Sequence, residues 1–242
     1  MRTKLISLSL VLLMGMSVWA QEPVTVSVYE DCSKNGKTED IRPSGEENGH
    51  TWVNLGLSVR WASCNIGATA PEDYGNYYAW GETETKADYS WATYKYANGA
   101  YDKLTKYCND ASYGDDGFTD DKTTLDPEDD AAHVIWGGNW RMPTDAEWTE
   151  LREQCTWTWT TQNGVNGYLV TSEVNSNSIF LPSAGFRRGT DLYYAGSNGY
   201  YRSSSLCEDF PYRAWLVDFL SGYVLGSRDN RSCGQSVRPV CP

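Results

Sequence analysis

The sequence predicts an α+β fold: a single domain with two helices, short antiparallel sheets and long loops. Three observations carry this. Alternating apolar runs lie near both ends of the chain. Two capped helix starts lie in its middle. An aromatic, Gly-rich stretch without a period lies between them.

The first residues read MRTKLISLSLVLLMGMSVWA, in which Arg2 and Lys4 precede an apolar run from Leu5 to Met16 and Ala20 closes the segment. The run is short and no stop-transfer pattern follows. Residues 1–20 therefore read as a signal peptide cleaved near Ala20, not as a membrane span. The expected location is secreted, periplasmic or on the outer surface of a bacterium. Residues 21–49 are polar after VTVSVYE and read as an N-terminal extension or linker. The domain is placed at 50–242. It opens with Val53, Leu55, Leu57 and Val59 alternating ahead of Trp61.

The stretch PEDYGNYYAWGETETKADYSWATYKYANGAYDKLTKY suits long loops stapled by aromatic rings. Two helices follow. In LDPEDDAAHVIWGG, Asp126 is placed as the cap, Pro127 fits the first turn, Glu128, Asp129 and Asp130 oppose the N-terminal dipole, and Gly137 ends the helix. In MPTDAEWTELREQC, Thr144 and Glu147 form a capping box, with Trp148, Leu151 and Cys155 on one face. Short strands and turns fill GYLVTSEV, SIFLPSAGFR and LYYAGSNGYYRSSS.

The chain carries a net charge of -12, and losing Arg2 and Lys4 with the leader takes it to -14. Nucleic-acid binding, which needs clustered Lys and Arg, is excluded by that balance. The wealth of Trp, Tyr and Gly argues against disorder. Seven cysteines leave at least one unpaired, and with no CxxC motif and only His50 and His133 a zinc site is not expected. No Ser/His/Asp arrangement is legible and no carboxylate pair stands out, so the protein is read as not an enzyme. No cofactor is called for. If an ion binds, calcium is the candidate, on the acidic loop GDDGFTDD, with Asp115, Asp116, Asp120 and Asp121 as ligands; the plainer reading is a solvated loop.

The tail mixes order and disorder: YRSSSLCEDFPYRAWLVDFLSGYVLGSRDNRSCGQSVRPVCP. Trp215, Val217 and Phe219 alternate as one strand face, Ser221-Gly222 makes a turn, and Val237 to Val240 suggests a closing strand. Arg202, Cys207, Phe210, Arg213, Leu216, Leu220, Leu225, Ser227, Arg228 and Cys233 follow no such rule; these apart from Cys233, together with Val217, are the candidate ligand-binding residues. Arg and aromatic anchors among aliphatics are the composition of a protein-binding patch. Elsewhere Tyr77, Tyr78, Trp80, Tyr193 and Tyr194 are either sugar-stacking platforms or buried staples.

The set WRMPTDAEWTEL, IFLPSAGFRRG, YYRSSS and SVRPV, with NLGLSVRWASCNIGA and EDYGNYYAWGET before it, resembles the Fibrobacter succinogenes major paralogous domain family. RMPTDAEW also resembles the formylglycine-generating enzymes and, with them, the C-type-lectin-like fold. The resemblance implies that the two ends of the domain pair as neighbouring strands. It makes Cys64 and Cys241 the preferred disulfide. The tail resembles the variable region of proteins diversified by retroelements, where a reverse transcriptase miscopies adenines. Diversified asparagine codons never yield Lys, Glu, Gln, Met or Trp, and Cys207, Phe210, Arg213, Leu216, Val217, Leu220, Leu225, Gly226, Ser227, Arg228, Ser232 and Cys233 obey that rule; Glu208 belongs to the frame. The implied function is recognition of an unknown protein or glycan through residues about 200–235. Two alternatives remain open: a structural cell-surface domain without a ligand, and an oxidase resembling formylglycine-generating enzymes, with Cys207 and Cys233 in the corresponding portion of the chain.

Overall fold

The structure, a computed structural model, describes residues 42–242. The predicted signal peptide, the VTVSVYE stretch and Cys32 lie outside the described residues. The fold starts earlier than the sequence suggested. Strand β1 (Ser44–Glu47) pairs antiparallel with β2 (His50–Val53) across Asn48-Gly49. Both turn residues have positive φ, 46° and 79°. That is the two-residue hairpin turn which Asn-Gly favours, because its twist matches the flanking strands. Residues 44–49 are therefore part of the domain.

β2 pairs with β3 (Arg60–Ala62), and β3 pairs with the last strand, β12 (Val240–Cys241), so the two ends of the domain are neighbours. Their register overturns the disulfide. Cys241 lies opposite Arg60, and Cys64 is four positions along from Arg60, past the end of β3. At about 3.4 Å per residue that is roughly 13 Å, against the ~4.4–6.8 Å between Cα atoms that a disulfide spans. Both cysteines are free, as are Cys108, Cys155, Cys207 and Cys233.

The first helix is shorter than expected. Pro127–Asp129 is a 3₁₀ turn, and α1 runs over Ala131–Trp136 with Asp130 as its cap, accepting from the amides of Ala132 and His133. Asp126 is left outside because the side chain of Asp130 fits the cap geometry and that of Asp126 does not bond there. The second helix, α2 (Asp145–Gln154), has the expected capping box of Thr144 and Glu147 and buries Trp148 and Leu151. No helix among the described residues is long and apolar enough to cross a membrane.

The remaining strands form three antiparallel sheets: β4 (Cys155–Gln162), β5 (Val165–Ser172) and β6 (Ser178–Pro182); the hairpin of β7 (Phe186–Arg188) and β8 (Asp191–Tyr193); and β9 (Asn198–Leu206), β10 (Arg213–Leu220) and β11 (Tyr223–Asn230). In the last sheet β10 is central. Two apolar cores support these layers. One gathers Trp80, Tyr94, Tyr107 and Trp140 under the long loops. The other gathers Trp61, Trp148, Tyr201 and Phe219 between α2 and the sheets. Indole N–H groups are spent on buried backbone: Trp148 donates to the Arg202 carbonyl at 3.1 Å and Trp80 to that of Ser203 at 3.0 Å. The structure is α+β.

Candidate functional site

The strand β10 has two faces, and the register sorts the tail between them. Val217 lies opposite Tyr201 and Gly226, and Phe219 opposite Gly199 and Val224. This is the inner face: Tyr201, Val217 and Phe219 are buried in the second core. Leu216, Asp218 and Leu220 point the other way, opposite Arg202, Tyr200 and Asn198 on β9 and Ser227, Leu225 and Tyr223 on β11. A register shift between Ala214 and Leu216 breaks the alternation. Trp215, expected beside Val217 and Phe219 in the core, is consequently half-buried, with Arg228 5.7 Å from its ring centre.

Four of the predicted binding residues are not available to a ligand. Arg202, Cys207, Leu216 and Val217 are each at most 1% exposed. Arg202 donates to the carbonyls of Asp229, Asn230 and Cys233 and so staples the chain after β11. The amide of Cys207 donates to the Arg213 carbonyl at the base of the loop joining β9 and β10. Cys233 is also buried, and burial pushes its thiol above the ordinary range. The sequence carries no sign of this, because a buried Arg or Leu in a strand reads the same as an exposed one.

The rest meet at the surface. Leu225 and Arg228 are exposed; Phe210, Arg213, Leu220 and Ser227 are half-buried. Arg213 lies 5.6 Å and Arg228 5.2 Å from the Phe210 ring centre, so two cations bracket one ring. The patch extends through rings that sequence reasoning did not select. Tyr212 packs at 6.0 Å from Phe210 and at 5.2 Å from both Tyr101 and Tyr113, which come from the long loop 97–118. Tyr101 remains 48% exposed. The loop 207–213 that carries Phe210 and Tyr212 is fixed by backbone bonds, Phe210 to Cys207 at 3.0 Å and Arg213 to Phe210 at 2.7 Å. Asn109 also ties it to the other loop through the Glu208 carbonyl at 3.0 Å. No local period in ANGAYDKLTKY announces these contacts, which are made across about 100 residues of chain.

Beside the patch, Phe186, Tyr194, Tyr200, Leu216, Ser227 and Arg228 line a shallow pocket of about 280 Å³, together with Arg188 and Asp229, which lie 3.7 Å apart. Tyr193 and Tyr194 are exposed there, whereas Tyr77, Tyr78 and Trp80 are core staples.

The acidic loop is not assembled as expected. Asp120 accepts from the amides of Tyr107, Cys108 and Lys122, and Asp115 accepts from the Asn98 side chain. Neither those residues nor Asp116 and Asp121 converge with a third ligand among the described residues. The carboxylates that do converge are Asp126, Glu128 and Asp129. The ammonium of Lys106 already lies among them, 2.7 Å from Asp126 and 2.6 Å from Asp129. Tyr107 donates to Asp129 at 2.7 Å, and Tyr96 bonds it as well. A lysine supplies here the charge that a metal would supply.

No family model matches the chain, and no curated protein and no solved structure matches it either.

Proposed function

We propose that this chain is a secreted or surface-displayed recognition protein of C-type-lectin-like architecture. Its C-terminal region, diversified by a retroelement, binds a protein ligand without chemistry. The observation that carries the reading is the patch of Phe210, Tyr212, Arg213, Trp215 and Arg228 with Tyr101 and Tyr113. Arginine and aromatic side chains lie together at the surface, outside both cores, on backbone that the cores hold rigid. Such residues dominate binding energy at protein interfaces. Burial of Cys207 and Cys233 supports a non-catalytic reading over an oxidase, since reactive cysteines sit in accessible sites.

Burial also sharpens what diversification would look like. Positions free to vary are those without packing duty: Phe210, Arg213, Leu220, Leu225, Ser227 and Arg228. The test is to sequence the genomic DNA around the gene. The expected result is a near-copy of the segment encoding residues 200–235 beside a reverse transcriptase, differing at adenine-bearing codons for those six positions. A copy whose differences fall on Arg202, Cys207, Leu216 and Val217, or no copy at all, would remove the diversification reading.

A further inference from the structure

We propose that the open edge of β11 takes up an extended segment of a protein ligand as an added strand, with acidic side chains at alternate positions facing Arg152 and Arg228. The inference rests on the reading of the tail as a protein-recognition surface, not on its diversification, and gives the form in which the ligand is held.

The register fixes which main-chain groups are open. Leu220 and Tyr223 close the hairpin across Ser221-Gly222, and β10 then pairs with β11 without interruption as far as Arg213 and Asn230. In a two-residue hairpin the closing pair is hydrogen-bonded, and along the ladder such pairs alternate with pairs that are not. Val224, Gly226, Arg228 and Asn230 belong to the second kind, so their N–H and C=O groups point away from β10. The far end of the ladder agrees. The Arg213 amide donates to the Phe210 carbonyl and the Asn230 carbonyl accepts from the Cys233 amide, both outside the strand pair. β11 is the last strand of its sheet, and the main-chain groups of Val224, Gly226 and Arg228 bond to no other described residue. Gly226 is exposed, and without a side chain that exposure is of the main chain itself. An eight-residue edge with no Pro, Lys or bulge is a ready template for another strand.

Charge selects the partner. Gly226 and Arg228 are two positions apart and so share one face of β11, about 7 Å from each other along the strand. The guanidinium of Arg152, on α2, covers that face at Gly226, where a Cβ would stand 3.2 Å from its Nη2. Nη2 donates to the Thr149 hydroxyl, and no carboxylate among the described residues pairs with Arg152 or with Arg228. Arg228 is exposed and stands over the rings of Phe210 and Trp215, at 5.2 and 5.7 Å. Two guanidinium groups with donors to spare therefore flank one open edge. Main-chain bonds would hold an added strand, and its alternate side chains would fall on the face of Gly226 and Arg228. Carboxylates at those positions gain charge-assisted hydrogen bonds. β4 supplies the contrast: it is also an eight-residue edge strand, CTWTWTTQ, and carries no charge.

The test is a titration of the nitrogen-15-labelled full chain, followed by amide shifts and amide hydrogen exchange in NMR. The probes are a capped heptapeptide of alternating Thr and Glu, the same peptide with Gln for Glu, and the acidic peptide N-methylated at every residue. The acidic peptide is expected to bind with a Kd on the order of 1 mM. It should shift the amides of Val224, Gly226 and Arg228 and slow their exchange, and leave those of β4 unchanged. The Gln peptide should bind at least about five-fold more weakly, and the N-methylated one not at all. Arg228→Gln and Arg152→Gln should each cost the acidic peptide about five-fold. Because Arg228 is exposed, its variant keeps the test readable if Arg152→Gln does not fold. Equal binding of the Gln peptide, unchanged affinity in both variants, or no saturable binding would overturn the added strand. Shifts at Phe210 and Arg213 without any at the β11 amides would overturn it too, while leaving the recognition reading in place. Protection of the β11 amides that rises with protein concentration alone would assign the edge to a second copy of this chain and overturn the peptide ligand.

Discussion

The guanidinium of Arg231 lies 4.8 Å from the centre of the Trp80 ring. It is fully buried, yet it pairs with no carboxylate among the described residues. Its nitrogens donate instead to the Tyr94 hydroxyl and to the carbonyls of Lys106, Tyr107 and Pro211. One side chain from the tail thus holds the loops of residues 94–107 and the turn that carries Phe210 and Tyr212. Only the rigid fork of an arginine reaches carbonyls in several directions at once.

Replacing Arg231 should therefore be severe. Arg231→Met is expected to destabilise the fold by about 3–5 kcal/mol, because the carbonyls it serves remain buried without donors. Arg231→Lys should recover little of that loss, since an ammonium cannot span the same carbonyls. Urea unfolding followed by Trp fluorescence checks both. A lysine variant as stable as the parent would contradict the fork argument.

The inner and outer faces of β10 should separate in a melting series. Phe219→Ala is expected to cost about 3–5 kcal/mol as a buried aromatic deletion. Gly199→Ala should also be destabilising, because a methyl group there would come within 2.0 Å of the Phe219 ring. Leu225→Ala on the outer face, 53% exposed, should stay within about 0.5 kcal/mol of the parent. Trp215→Ala should fall between them, as the bulge leaves it half-buried. Differential scanning calorimetry gives the order directly.

Asp218 should make the fold less stable as pH rises. Its carboxyl titrates near 3.8 in an unfolded chain and near 6 in the fold, so the folded state binds its proton more tightly. The contribution is fully present below pH 3.8 and is lost as pH passes through 6. The shift corresponds to about 3 kcal/mol at full value, discounted to roughly 1–2 kcal/mol because the side chain is partly exposed. Asp218→Asn should flatten that slope, gaining about 1 kcal/mol at pH 7.5 and nothing at pH 3.5. Denaturant titrations at the two pH values decide it.

Lys106 acts in the opposite direction. Its hydrogen bond, with that of Lys122, holds Asp126 down to about 2, and at Asp129 the bonds from Lys106, Tyr96 and Tyr107 outweigh burial and lower the carboxyl. These carboxylates add stability above pH 3.8 that is lost as pH falls toward 2. Lys106→Met should lower the melting temperature at pH 7 and have a smaller effect at pH 2.5. Calcium or a chelator should leave the melting temperature of the parent unchanged, since the lysine already supplies the positive charge. A calcium-dependent rise would show that an ion can join or displace it.

Local signals in the sequence carried a good part of the fold. The capping box of Thr144 and Glu147, the turn at Ser221-Gly222 and the hairpin signal at Asn48-Gly49 depend on residues a few positions apart. They act wherever the chain goes, although the Asn-Gly signal was passed over in a segment read as linker. The helix start at Asp130 was misplaced because Asp126, Asp129 and Asp130 are equally good caps by type. Only contact with Lys106, Tyr96 and Tyr107 assigns Asp129 elsewhere.

The proposed binding surface was half legible. Phe210, Arg213, Leu225 and Arg228 were found because they break the strand pattern, and breaking it is what exposed residues without packing duty can do. Arg202, Cys207 and Leu216 break the same pattern from inside the protein, where backbone carbonyls and neighbouring strands accommodate them. Alternation alone gave Val217 and Phe219 a common face. The bulge beside Trp215 then changed which side chains reach the surface, and a bulge leaves no mark in residue type.

By itself, the sequence determined the α+β class, the second helix with its capping box and the hairpin turn of the last sheet; it missed β1 and placed Cys155 on a helix face where the chain has already entered β4. Capping, turn chemistry and period act over a few residues, and they survive whatever the rest of the chain does. Tertiary structure alone decided that Cys241 faces Arg60 and not Cys64, that Arg202 and Arg231 are buried against carbonyls, and that Tyr101 and Tyr113 join Tyr212. It also left Asp218 opposite Tyr200 with an oxygen that has no hydrogen-bond partner among the described residues. Each of these depends on register or on contacts between distant segments, which are set by how whole layers pack and not by any one stretch of residues.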